Sequence, residues 1–423
     1  MPLTGARDIL RRSPAARAGL FAAALVVVAE GAVFVLSPAA TGPESLAVEI
    51  GRYLPADELA RAVDHRDGQR ILLLAGLGAQ ALALGALAVG HPGSARAFFD
   101  RLGRHPVLGA ASAGAIVVAV AELVALPTGV WAHERAVDVG LSTQSLGAWF
   151  GDQGKGLAIA AAIGAAGAAA LSALIRRYPR GWWIGGSVVV VGYGAAMSLL
   201  APVLIAPLFN SFEKLPETSQ LRQRVVELGA RGDVEVGEVS RVDASRRSTA
   251  LNAYVAGIGP TKRVVLYDTL IDDTKPTELD SVVAHELGHV AHSDIPRGIL
   301  FAALVTPLGL LLVRELANGL GGRAPAAPGT PAAVPGLFLA IALVSVAVGV
   351  AANQLSRQVE ASADAFALEV TGDPQALIDL QVRLATTNLS DPDPPALMRL
   401  LFGTHPTTEE RIGAALAWKA GSG

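Results

Sequence analysis

Residues 277–289, TELDSVVAHELGH, decide how this chain is interpreted. The stretch lacks proline, has its only glycine in the last turn and repeats apolar residues at helical intervals, so a helix is predicted. Residues four apart share one helix face, so His285 and His289 direct both imidazoles at one point, with Glu286 beside the first. This H-E-x-x-H pattern is typical of a zinc centre in which the glutamate is the general base. The alternative is an amphipathic helix that carries two histidines and an incidental glutamate.

A catalytic zinc site needs a third protein ligand and one open position. The metzincin class requires Gly at position 292 and His at position 295, where this chain has His292 and Ile295, and that class is excluded. The first downstream glutamate is Glu315. It follows an apolar run at 298–313 that predicts a membrane span, which would carry Glu315 to the far side of the membrane.

Glu360 is the better third ligand. It lies in a helical segment that follows a second apolar run, at 334–352, and two spans return the chain to its starting side. Asp364, one turn later on the same face, can accept the ring N–H of a ligating histidine and fix its tautomer. The alternative is that both are ordinary helix-surface acids near the membrane. The predicted gluzincin-type centre is one Zn²⁺ ion bound by His285, His289 and Glu360, with Glu286 as the catalytic base.

The composition indicates a membrane protein. The 423 residues are 52% apolar and 17% charged, and the mean hydropathy is positive, which is unusual for a soluble enzyme. Apolar runs long enough to cross a hydrocarbon core of ~30 Å predict seven transmembrane helices. They lie at about 18–36, 71–90, 106–126, 156–175, 182–206, 298–313 and 334–352. The first run exceeds the usual apolar segment of a signal peptide, which favours a retained anchor.

Cysteine usage and charge exclude several classes of function. The chain has no cysteine, so disulfides, thiolate zinc ligands and cysteine nucleophiles are all absent. The net charge of −3 and the lack of a Gly-rich phosphate loop give no sign of a nucleic-acid partner. The expected partners are therefore membrane lipids and a peptide or protein substrate.

The polar interval before the H-E-x-x-H helix predicts a small β structure. Residues 217–228 have the pattern of an amphipathic helix and 233–242 that of a strand, and 250–258 with 263–270 flank a turn-rich tetrapeptide, which predicts a β-hairpin. A peptidase must hold its substrate extended, and Asn252 with Ala253 lies where an edge strand could pair with it. A plain sheet edge without a substrate role is the alternative.

Four segments follow from this order along the chain. They are 1–206 with five transmembrane helices, 207–297 as a soluble peptidase module with the hairpin and the H-E-x-x-H helix, 298–353 with the sixth and seventh transmembrane helices, and 354–423 as a carboxy-terminal peptidase module with the third zinc ligand. In the last module His405 and Arg411 lie at a predicted helix start. They are interpreted either as a cap and a solvated charge or as hydrogen-bond donors that point into the cleft.

These motifs resemble those of a known group, the integral-membrane zinc metallopeptidases of the CAAX prenyl protease 1 family. The resemblance extends from about residue 120 to 413 and is weak in the first hundred residues. Its motifs are HELGH at 285–289, SRQVEASAD at 356–364, Leu126-Pro127, HER at 133–135, GLS at 140–142, IAPLFNSF at 205–212, NAY at 252–254, THP at 404–406 and Glu410-Arg411.

The resemblance implies a mainly α fold, with about seven transmembrane helices around a water-filled chamber and a gluzincin-type domain with a small β-hairpin or sheet. It implies that His285, His289 and Glu360 bind zinc, Glu286 is the catalytic acid and base, and Asp364 orients a ligand. It further implies that His405 and Arg411 assist the transition state and that Asn252 and Ala253 line the substrate strand. Such enzymes remove the last residues of prenylated CAAX proteins, and some cleave unprenylated peptides.

The predicted function is a membrane-embedded zinc metalloendopeptidase that acts on membrane-associated or CAAX-like C-terminal peptides, with or without a lipid group. One alternative is a heat-shock-type membrane quality-control metalloprotease, which usually needs fewer spans. Another is a non-catalytic membrane sensor or transporter with a structural metal module, against which the intact Glu286 speaks.

The expected location is the cell membrane of a prokaryote. Short-loop Lys and Arg counts, ten against six, favour a cytoplasmic amino terminus, whereas the family resemblance implies a cytoplasmic carboxy terminus. The sequence leaves the membrane orientation and the oligomeric state open.

Overall fold

The computed structural model describes residues 14–39, 41–90, 93–257, 262–320 and 326–421. The helices of these residues are α1 Pro14–Leu36, α2 Ala56–Gly85, α3 Gly93–Arg101, α4 Pro106–Asp138, α5 Leu146–Arg177, α6 Trp182–Leu200, α7 Gln220–Arg231, α8 Asp268–Asp273, α9 Pro276–Ala291, α10 Asp294–Leu320, α11 Val334–Thr371, α12 Pro374–Thr387, α13 Ala396–Phe402 and α14 Thr408–Gly421. The strands are β1 Phe212–Lys214, β2 Glu238–Val242, β3 Ala253–Ala256 and β4 Arg263–Tyr267.

The seven predicted membrane helices are confirmed. Among the described residues, α1, α2, α4, α5, α6, α10 and α11 are long and apolar enough to cross a bilayer. Several extend beyond their apolar runs because polar residues continue the same helix. The seventh is the clearest case: α11 runs unbroken through 38 residues to Thr371, and the following Gly372, with a φ of 64°, makes the left-handed turn that closes the helix. Glu360 therefore lies on the same helix as the seventh span.

The four strands form one small mixed sheet in the order β1-β2-β4-β3. The predicted hairpin is confirmed, since β3 and β4 pair antiparallel; most of its turn lies outside the described residues. The other two pairings are antiparallel for β1 with β2 and parallel for β2 with β4. This order leaves β3 at an edge of the sheet.

Helix α9 packs between this sheet and α11. Its buried Val283 and Leu287 join an apolar cluster with the strands and α12, which leaves the two histidines on another face. A Cβ placed on Gly288 would lie 3.1 Å from the Cα of Ala363 on α11. Glycine at this position therefore lets the two helices approach closely enough for their polar residues to meet.

Candidate metal centre

Helices α9 and α11 bring the three predicted ligands together. His285 Nε2 lies 3.1 Å from Glu360 Oε2, and His289 Nε2 lies 3.7 Å from Glu360 Oε1. One ligand atom from each of the three residues lies within 4.8 Å of the others. Donor atoms that share a tetrahedral zinc at ~2.0–2.1 Å are about 3.4 Å apart, and the two distances to Glu360 lie on either side of that value.

The Nδ1 atom of His285, on the side of the ring away from Glu360, is held by a carboxylate. His285 Nδ1 lies 2.8 Å from Asp364 Oδ1, as the same-face spacing of Glu360 and Asp364 predicts. The Asp364 carboxylate accepts a 2.7 Å bond from Arg411 Nε and a second bond from Arg411 Nη2. Arg411 is thus a largely buried partner of Asp364, with its side chain 12% exposed, and not a solvated charge. With Nδ1 engaged, Nε2 of His285 is the nitrogen left for a metal.

A second aspartate holds His289 in the same way, and the sequence interpretation missed it. Asp294 Oδ2 lies 2.9 Å from His289 Nδ1, and Asp294 Oδ1 accepts a 2.6 Å bond from Arg297 Nη1. Ser293, with a φ of 55°, turns the chain between α9 and α10 and brings Asp294 back toward the histidine. The available signal was an aspartate five residues after His289, at the start of the next helix.

Glu286 and His405 lie on the accessible side of this cluster. Glu286 is half-buried and lies near the Val255 N–H of β3; burial of the carboxyl raises its pKa. His405 Nε2 lies 3.4 Å from Glu360 Oε1, while its Nδ1 lies 2.8 Å from the Thr404 hydroxyl. The side chain of His405 is 57% exposed, so it borders open space beside the three ligands.

The electrostatics of the cluster favour a cation. Burial lowers the pKa of His285, but hydrogen bonds to Asp364 and Glu360 outweigh it and raise that pKa to about 10. The two carboxylates therefore stabilise positive charge on His285, whose Nε2 faces Glu360. A metal cation bound there would replace that proton.

An open cavity of about 470 Å³ extends from this cluster to the edge of the sheet. Both predicted substrate-strand residues line it, Asn252 and Ala253, together with Glu286 and His405.

Glu315, rejected above as a ligand, lies away from this cluster. It is buried near the end of α10, where Arg17 and Arg314 each approach it to 2.9 Å.

Two family models together match most of the chain. The CAAX prenyl protease N-terminal model, which describes five membrane helices, matches residues 52–211, and the peptidase family M48 model matches residues 216–419. The chain belongs to peptidase family M48. It is a multi-pass membrane metalloprotease of the CAAX prenyl protease type, a hydrolase whose family implies a bound metal and a peptide or protein substrate.

Curated relatives and a solved structure agree with this membership. The uncharacterized metalloprotease YhfN of Bacillus subtilis is 31% identical over 69% of this chain and 70% of its own length. CAAX prenyl protease 1 of Saccharomyces cerevisiae is 29% identical over 71% of this chain and 70% of its own length. The crystal structure of S. mikatae Ste24p shares the fold, with a TM-score of 0.74, 21% identity, and coverage of 94% of this chain and 98% of that one.

Proposed function

We propose that this protein is a zinc metalloendopeptidase that hydrolyses membrane-associated or CAAX-like C-terminal peptides, with Glu286 as general base. The observation that carries the proposal is the convergence of two Nε2 atoms and one carboxylate, His285, His289 and Glu360, with Glu286 beside them. Three protein ligands leave the open position that a catalytic zinc needs.

The chemistry that zinc supplies when bound at these three residues is an acidified water and a polarised substrate carbonyl. Glu286 takes the proton of the attacking water and passes it to the leaving amine. Its partial burial raises its pKa, which suits a group that must both accept and return a proton. Asp364 and Asp294 hold the outer nitrogens of the histidines and keep both rings in the ligating tautomer.

His405 is proposed to donate a hydrogen bond to the oxygen on which negative charge develops. Its Nε2 already points toward Glu360, on the accessible side of the cluster. Arg411 is proposed to support the transition state through Asp364, since its guanidinium is committed to that carboxylate. The substrate is proposed to lie extended along β3, with Asn252 and Ala253 beside the scissile bond.

A CAAX-like substrate is suggested by the relatives, among which the Saccharomyces protein is named CAAX prenyl protease 1. Access through a chamber between the membrane helices is part of the proposal. Glu30 on α1 and Glu122 on α4 are exposed within the apolar runs of these helices, and such groups face water or protein in preference to lipid. The four-segment division of the chain and a prokaryotic cell membrane as its location belong to the same proposal.

The heat-shock-type alternative rests on a weaker observation. The protease HtpX homolog of Methylibium petroleiphilum is 27% identical over 54% of this chain. The match of residues 52–211 to a five-helix CAAX protease model favours the proposed type.

Cleavage of a quenched peptide by the purified full chain tests the proposal. We expect turnover that a chelator abolishes and that stoichiometric zinc restores. A protein that binds zinc but cleaves no peptide would instead be the non-catalytic metal module, and cleavage that a chelator leaves intact would remove the metal from the mechanism.

Replacing Asp294 with asparagine should weaken metal binding without removing it. The asparagine cannot carry the charge that holds the His289 ring, so we expect zinc affinity to fall by about 10- to 100-fold, the usual effect of losing such a partner. Competition with a chromogenic chelator measures the affinity. Asp273→Asn, at the exposed end of α8, is the matched control and should keep the native affinity. Equal affinities for the two variants would show that Asp294 does not support the ligand.

Replacing His405 with alanine should slow catalysis while zinc stays bound. We expect kcat to fall by about 10²- to 10³-fold, as in other deletions of an oxyanion donor. Steady-state kinetics with zinc content measured in parallel make the test, and exposed His105→Ala serves as the control. A loss of zinc in His405→Ala would instead identify His405 as a metal ligand.

A further inference from the structure

The outer edge of β3 is defined by the direction of its backbone groups. The Tyr267 N–H donates to the Asn252 carbonyl at 3.1 Å, so Asn252 faces β4. Backbone groups alternate between the two edges of a strand, and those that face away from β4 therefore belong to Leu251, Ala253 and Val255.

This outer edge runs along the candidate metal centre. The Val255 N–H lies near Glu286, and Ala253 lines the cavity that Glu286 and His285 also line. A peptide that pairs with β3 would therefore use this edge.

The amide side chain of Asn388 already occupies one end of the edge. The Leu251 N–H donates to Asn388 Oδ1 at 2.8 Å, and Asn388 Nδ2 donates to the Leu251 carbonyl at 3.1 Å. These two bonds are the pair that a neighbouring strand would make with Leu251. The pairing edge open to another chain thus ends before Leu251.

Asn388 is held in this position from the membrane region. Arg66 on α2 donates from Nε to the Leu389 carbonyl at 2.7 Å and from Nη2 to the Asn388 carbonyl at 2.8 Å. Leu389 itself is buried, at 4% exposure. The amide therefore sits on a fixed backbone between α12 and a transmembrane helix.

We propose that Asn388 ends the substrate-pairing edge of β3 and so limits how many residues a substrate extends beyond the scissile bond on its C-terminal side. A peptide that pairs antiparallel with β3 runs in the opposite direction, and its C-terminal residues approach Leu251. Longer extensions meet the Asn388 side chain and have no strand left to pair with. The enzyme is then selective for bonds close to a C-terminus. This inference rests on the proposed peptidase function.

Two quenched peptides of identical sequence around the scissile bond, one with a short and one with a long C-terminal extension, test the proposal. For the native full chain we expect kcat/KM to be higher for the short peptide. In Asn388→Gly the backbone groups of Leu251 are free to pair. The ratio of kcat/KM for the short peptide to kcat/KM for the long peptide should then fall by about tenfold, mainly because the KM of the long peptide falls. Asn388→Asp, which keeps the acceptor for the Leu251 N–H and loses the donor, should give an intermediate ratio.

Thr269→Val is the matched control. Its hydroxyl donates to the Ala250 carbonyl at 2.8 Å, so the substitution loosens the same segment without freeing the Leu251 groups. We expect this substitution to change kcat/KM for both peptides by the same factor. Arg66→Gln, which releases the Asn388 backbone, should shift the ratio in the same direction as Asn388→Gly.

The proposal is overturned if Asn388→Gly has the same ratio of kcat/KM for the short peptide to kcat/KM for the long peptide as the native chain. An equal loss of activity on both peptides also overturns it. Failure of the underlying function has a different signature, because the zinc-loaded native chain would then cleave neither peptide.

Discussion

Replacing Glu286 with glutamine is expected to abolish peptide cleavage and leave the metal bound. Glutamine keeps the size of the side chain and can still lie beside the Val255 backbone, but it cannot accept a proton from water. Loss of a general base typically costs 10²- to 10⁴-fold in rate, and because Glu286 also returns the proton to the amine we expect about 10³-fold or more. The three proposed ligands are untouched by this change.

Single-turnover kinetics together with zinc content measure this result. The control is the native chain purified in parallel, compared for zinc stoichiometry and for thermal unfolding. A Glu286→Gln protein with native turnover contradicts the assignment of the base, and one without zinc places Glu286 among the ligands.

The second large effect is expected from Glu360→Ala, which should lose both metal and activity. Glu360 is the only one of the three proposed ligands that comes from α11, and its carboxylate lies 3.1 and 3.7 Å from the Nε2 atoms of His285 and His289. Two imidazoles alone hold zinc weakly, and the variant also removes a negative charge from the centre. We expect zinc content after dialysis against a weak chelator to fall from one ion per chain to nearly none, and activity to fall with it.

Glu369→Ala provides the control for this loss. Glu369 is exposed on the same helix nine residues later, so the substitution removes a carboxylate from α11 without touching the centre. His292→Ala provides a second control, because His292 lies beyond the ligands and pairs with Ser362 at 3.0 Å. If Glu360→Ala keeps zinc as well as either control does, Glu360 is not a ligand.

The grouping of the three proposed ligands could be predicted, because the spacing of the two histidines is helical and the topology between them and Glu360 is simple. His285 and His289 share a face by period alone, and an even number of spans between them and Glu360 returns the chain to the same side. Asp364 follows from the same period, and the structure places it against His285. The hydropathy of the chain was sufficient to predict the seven candidate membrane helices of the described residues.

The residues that hold the proposed ligands and the sheet edge in place could not be predicted, because their positions depend on contacts between residues far apart in the chain. Arg411 meets Asp364 across 47 residues, and Asn388 meets Leu251 across 137. The parallel pairing of β2 with β4 is also set by tertiary packing and leaves no local pattern. Asp294 is different: it lies near His289 in sequence, but only the turn at Ser293 brings it onto the ring.

The most direct test of the proposed centre is a crystal structure of the zinc-loaded Glu286→Gln protein, with anomalous diffraction measured at the zinc edge. We predict one strong peak within about 2.0–2.2 Å of His285 Nε2, His289 Nε2 and a carboxylate oxygen of Glu360. A peak bound elsewhere, or a Glu360 carboxylate turned away from the two histidines, would contradict the proposed hydrolase.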